Sequence, residues 1–134
     1  MPDAATTRLF APDDWLDAVT TARDDGFTWY DLLTAHDDLG RSGDIVVTLV
    51  LRDADRTQLH FITHLTRDDA VLPDISDIFA GASWGQRYVH EFYGVRFEGA
   101  DLRPLLNHAG GAPLRKDVVL PAHATDTGTR RRRR

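Results

Sequence analysis

The apolar residues fall into short blocks whose spacing switches from helical to alternating and back. Pro12-Asp-Asp14 opens a helix, because proline is tolerated in a first turn and carboxylates favour the positive end of the helix dipole. Trp15, Ala18, Val19 and Ala22 then recur at helical spacing as one apolar stripe, and Gly26 stops it. Three strands are predicted next. Residues 27–35 are aromatic-rich, and residues 44–52 are β-branched and apolar on both faces, the pattern of a central strand covered on both sides. Residues 57–65 alternate, with Leu59, Phe61, Thr63 and Leu65 on one face and His60, Ile62 and His64 on the other. The short polar stretch between the last two makes them a hairpin.

Residues 73–80 read as a loop with a single helical turn. Residues 83–93 read as a second helix with Ser83 as N-cap and Gly94 as terminator. Trp84, Tyr88 and Phe92 lie at i, i+4 and i+8, a stripe expected to lock this helix against the sheet. The predicted fold class is α+β: two layers, with helices packed on one face of a small mixed or antiparallel sheet. Four stretches are expected: a disordered N-terminus at 1–7, an α+β domain at 8–97, an extended docking segment at 98–120, and a disordered Arg-rich tail at 121–134.

Composition narrows the chemistry. The 134 residues contain no cysteine, which excludes disulfides, thiolate-held zinc, cysteine nucleophiles and cysteine-ligated iron–sulfur clusters. The formal charge is −5, yet five of the 16 basic residues are the arginines at 130–134, so the body is far more acidic than the total implies. An acidic body is not the footprint of a DNA-binding domain. Residues 1–11 lack an apolar signal-peptide core and no apolar run approaches the length of a membrane span, so cytosol is the expected location.

Few residues invite catalysis. His60 and His64 resemble half a zinc site, but on a strand they stand roughly 13 Å apart, too far for one ion. Arg87 and Glu91 are spaced for a helical ion pair, and His90 beside Glu91 has the makings of an oriented base. No nucleophile motif or phosphate loop accompanies them, so no catalytic, cofactor or metal residues are assigned. The terminal arginines are compatible with binding RNA or anionic lipid. Pro113-Leu-Arg-Lys-Asp117 joins a rigid proline and an apolar anchor to three charges, including Lys116, the chain's one lysine. A partner of complementary charge explains it better than catalysis does.

With these residues assembled, the chain resembles the "30-kilodalton" subunit family of respiratory complex I, the proton-pumping NADH:quinone oxidoreductase. The likeness runs from Trp84 through Glu-Phe-Tyr-Gly-Val-Arg-Phe97 and Asp101-Leu-Arg103 to Pro113-Leu-Arg-Lys-Asp117. It departs at Gln86 and Tyr88, where the family pattern has glutamates, at Ala100 in place of a His-Pro pair, and at Ala112 in place of a histidine. The resemblance implies a structural subunit without cofactors. It would brace the peripheral arm on the cytoplasmic face of the membrane, chiefly against the large subunit that shapes the quinone pocket. The residues it assigns to subunit interfaces are Trp84, Arg87, Glu91, Asp101, Arg103, Pro113, Leu114, Arg115, Lys116 and Asp117; Gly94, Phe97 and Leu102 also match. The alternatives are a related hydrogenase-type membrane complex or a freestanding RNA- or lipid-binding module.

Overall fold

A computed structural model describes residues 5–119. The expected arginine tail at 121–134 therefore lies outside the described residues, as do residues 1–4. Strand β1 (Ala5–Leu9) leads through a 3₁₀ turn at Pro12–Asp14 into α1 (Trp15–Asp24). Then come β2 (Trp29–Asp37), β3 (Ile45–Arg52), β4 (Gln58–Leu65), β5 (Val71–Pro73), α2 (Ala82–Tyr93) and β6 (Arg96–Glu98). The main sheet has order β1-β4-β3-β2; β1 runs parallel to β4 and the other pairs are antiparallel. β5 and β6 form a small parallel ribbon that the hydrophobic pattern did not reveal, since three-residue strands are too short to show a period. β1 begins at Ala5, so residues 5–7, expected to be disordered, belong to the sheet.

Both helices pack on the sheet face that carries Leu33, Leu49 and Phe61, one cross-strand row. Trp15 meets Phe61 edge-on at 6.3 Å between ring centroids, and Phe10 does so at 4.8 Å. The stripe of α1 is buried as its spacing requires, through Trp15, Val19 and Ala22. β3 is central, but the expectation that both its faces are covered is corrected. No described helix lies on the second face, where Val46 and Val50 are buried among cross-strand neighbours such as His36, His60 and His64. There His60 bonds Gln58 at 2.8 Å and His64 bonds Asp44 at 3.2 Å. No group of three or more metal-ligating side chains occurs among the described residues.

The second helix differs from expectation in two ways. Ser83 is not its N-cap: the helix starts at Ala82, and the Ala82 and Ser83 amides donate to Phe79 and Ala80 of the preceding turn. That turn satisfies two of the orphan donors without a side-chain cap. Nor does the aromatic stripe face the core as a whole: Tyr88 and Phe92 are half-buried against it, but Trp84 is not. Ala82, Gln86, Val89 and Tyr93 are buried, while Trp84 is 59% exposed. Gly85 sets this rotation. A Cβ there would stand 2.6 Å from the Tyr30 hydroxyl and 2.8 Å from Leu33 Cβ, so the helix rests its glycine on β2 and turns Trp84 outward. Gly85→Ala is accordingly expected to cost about 2 kcal/mol through overpacking, read as a lower urea midpoint; an unchanged midpoint contradicts this close approach.

Candidate partner-docking surface

β6 ends at Glu98, and residues 99–119 carry no regular element. They are nevertheless held against α2 by a series of specific bonds. Asp101 and Arg103 engage each other: the Arg103 amide and guanidinium both donate to the carboxylate, with the shortest contact 2.6 Å. This pairing holds the Asp101 carboxyl at a pKa of about 2. One step on, the Arg87 guanidinium donates to the carbonyls of Arg103 (2.9 Å) and Pro104 (2.8 Å). One turn further along α2, Glu91 accepts from the backbone amides of Leu105, Leu106 (2.9 Å) and Asn107 (3.1 Å). The expected Arg87–Glu91 ion pair is thus replaced. The two side chains grip consecutive carbonyls and amides of one strand of chain, and an exposed pair would have been worth only some tenths of a kcal/mol.

Glu91 is only 7% exposed. Burial pushes its carboxyl upward, but the three donated amides, helped by Arg87, outweigh it and the net shift is downward. His90 is likewise committed, its Nδ1–H donating to the Val95 carbonyl at 2.8 Å just past the helix end. A groove of about 360 Å³ beneath this segment is lined by both residues with Asn107 and His108. With Glu91 spent on three amides and His90 Nδ1 on a carbonyl, the pair is not arranged as an oriented base.

The Pro113–Asp117 motif closes the wrap. The Leu114 amide donates to the Phe92 carbonyl at 3.0 Å. Arg115 donates to the carbonyls of Tyr93 (2.6 Å) and Arg67 (3.1 Å) and lies across Gly94. Gly94 has φ +72°, so one glycine supplies both the left-handed helix stop and the clearance for Arg115. The Lys116 amide donates to Asp37 at 2.6 Å, and Asp117 pairs with Arg67 at 3.1 Å. Arg115 and Asp117 therefore fasten the segment to its own domain, while the side chains of Leu114 and Lys116 face solvent.

Asp37 and Arg67 form the hub of this arrangement. Asp37 ends β2 and is 4% exposed; both Arg67 terminal nitrogens donate to it, as do the Leu39 and Lys116 amides. The Arg67 bonds come first in holding its pKa down at about 2, against the opposing effect of burial. Gln86 is a second buried polar residue. It accepts from the Ile75 amide at 2.9 Å and donates to Asp74 at 2.7 Å. A glutamate at this position would set two carboxylates against each other, which gives that departure from the family pattern a local cause.

A family model described as "Respiratory-chain NADH dehydrogenase, 30 Kd subunit" matches residues 9–124. The chain belongs to that family. Curated 30 Kd relatives, each named as the C subunit of NADH-quinone oxidoreductase, include one from Mesorhizobium japonicum, 45% identical over 56 residues, which are 40% of this chain and 28% of the relative. Another, from Cupriavidus pinatubonensis, is 33% identical over 132 residues, covering 87% of this chain and 66% of the relative. The chain thus spans less than two thirds of the length of these relatives. The 30 Kd fold recurs in a chain of the membrane-bound sulfane sulfur reductase, an archaeal respiratory membrane complex, with TM-score 0.81 and 24% identity over 93% of this chain and 78% of that one. It recurs again in a trypsin-resistant fragment of Nqo5, with TM-score 0.67 and 19% identity over 71% and 80%.

Among the residues that the 30 Kd resemblance assigned to interfaces, the fold brings Arg87, Glu91 and Arg103 together around residues 103–107. Arg115 and Asp117 meet instead at the Asp37–Arg67 hub. Trp84 stands on the outer face of α2 with the Arg87 guanidinium 5.2 Å from its ring centroid. Asp37, Arg67 and Gln86 were not found from sequence. The signal for Asp37 was present in the β2 alternation: Leu33, Ala35 and Asp37 share the inward face, and an inward aspartate needs a donor.

Proposed function

We propose that this chain is a non-catalytic structural subunit of the peripheral arm of a proton-translocating NADH:quinone oxidoreductase. In this reading it braces neighbouring subunits, chiefly the large one that shapes the quinone pocket, on the cytoplasmic face of the membrane. One observation carries it: the family match over residues 9–124, which takes in the whole wrap from Asp101 to Asp117. The commitment of Glu91 and His90 to main-chain groups supports a bracing role over a catalytic one. No described helix is long and apolar enough to cross a membrane, which fits attachment through partner subunits.

Affinity-tagged protein purified from native membranes under mild detergent is expected to bring down other peripheral-arm subunits, identified by mass spectrometry. Recovery with none of them would overturn the proposal. Recovery with hydrogenase-type subunits instead would reassign the complex and leave the bracing role in place.

A further inference from the structure

The docking surface of this chain carries a charge sign that the rest of the molecule does not. Between residues 5 and 83 there are six basic and fifteen acidic side chains; between 84 and 119 there are five and four. Two of those four carboxylates are neutralised by arginines, Asp101 by Arg103 and Asp117 by Arg67, and Glu91 is buried on backbone amides. The cations differ. Arg87 spends its hydrogen bonds at the surface on main-chain carbonyls, which orient a guanidinium without cancelling its charge, and the Lys116 side chain faces solvent. The α2 side therefore projects positive charge from an acidic body.

An apolar anchor sits in the same region. Trp84 presents 59% of its surface to solvent beneath the Arg87 guanidinium, and Leu106, held on Glu91, is 70% exposed. Gly85 turns Trp84 outward, and Arg87 and Glu91 fix the backbone on either side, so both apolar groups are held in place before any partner arrives. An exposed tryptophan stacked on an arginine is the composition that dominates binding energy in protein interfaces.

We infer that Trp84 is the anchor of the docking surface, with the exposed Leu106 as a second apolar contact further along α2, and that its occupant is an acidic segment of a neighbouring subunit. That segment presents carboxylates toward Arg87 and Lys116 around an apolar pocket that receives the indole. The inference rests on the subunit reading above and adds the anchor and the chemistry of the partner. The same charge pattern keeps an acidic neighbour off the α1 side, where Asp13, Asp14, Asp17, Asp24 and Asp25 lie exposed.

The test compares full-length wild type, Trp84→Ala and Lys116→Glu in the membrane purification. Both variants are expected to melt within about 2 °C of wild type, because both side chains are exposed. Both are expected to recover partner subunits at least about tenfold less well, in line with the loss of an interface anchor or the reversal of a steering charge. A photo-crosslinking residue at position 84 is expected to attach to an acidic segment of one of those subunits. If wild type and both variants recover partners equally, or the crosslink lands on a basic segment, this inference is overturned while the subunit reading survives. If wild type itself recovers none, the subunit reading is what fails.

Discussion

Asp37→Ala is expected to cost about 3–5 kcal/mol of folding stability, the range found when one member of a buried ion pair is removed and the other left behind. The substitution strips the Arg67 guanidinium of both its bonds to Asp37 at a position where the arginine side chain is only 14% exposed. It also leaves the Leu39 and Lys116 amides without their acceptor. Because the Lys116 bond ties the wrap to β2, the damage is expected to spread: residues 113–117 should become sensitive to limited proteolysis at protease levels that leave wild type intact. Removing Arg67 as well should cost less than the sum of the two single changes, since the second deletion removes a largely buried guanidinium that Asp117 alone would pair only in part. Strict additivity in urea unfolding would show that the two residues do not act as a pair.

The same carboxylate sets an acid limb. Its pKa is 3.8 ordinarily and about 2 in the fold. A folded pKa below the unfolded one means the native state holds the charged form more tightly. The stabilisation is therefore complete above 3.8, declines as pH falls from there toward 2, and is absent below. Over that window the loss amounts to about 2.5 kcal/mol for this group. Melting temperature plotted against pH should fall steeply on the acid side for wild type and more gently for Asp37→Ala. Parallel acid limbs would rule out Asp37 as their source.

What the sequence made legible follows from the range of the interactions. The α1 stripe, the alternation of β4 and the glycine stop at Gly94 are local, and each reads from a few neighbours. The orientation of α2 is not local. Trp84, Tyr88 and Phe92 suggested one buried stripe, and Tyr88 and Phe92 do pack partly against the core, but the contact of Gly85 with Tyr30 and Leu33, more than fifty residues earlier, leaves Trp84 outside it. The interface residues show the same division. Pro113-Leu-Arg-Lys-Asp117 stood out through its unusual composition, yet composition does not say whether an arginine turns to a partner or to its own domain. Arg115 turns inward because Gly94 leaves room and the Tyr93 carbonyl lies within reach. Asp37 and Arg67 are thirty residues apart and belong to no motif, so only the fold brings them together.

Glu91→Ala is expected to release residues 103–107 and to cost about 3 kcal/mol, since hydrogen bonds to an ionised acceptor contribute more than neutral ones and three amides lose theirs together. The penalty is limited because the freed segment can peel away and let water take the amides, whereas the Arg67 charge in Asp37→Ala stays buried. That difference can be measured. Hydrogen exchange at the Leu105, Leu106 and Asn107 amides should accelerate by about a hundredfold in Glu91→Ala, as local opening replaces a held state, while the β3 amides change only as far as global stability does. Glu91→Gln keeps one carbonyl oxygen but turns an NH₂ toward donors that need acceptors, so it should recover only part of the protection. Leu106 rides on this segment, so the loosened chain should also bind partner subunits less well. Exchange at 105–107 that stays at the wild-type rate would mean that Arg87, through its two carbonyl bonds, holds the segment without Glu91.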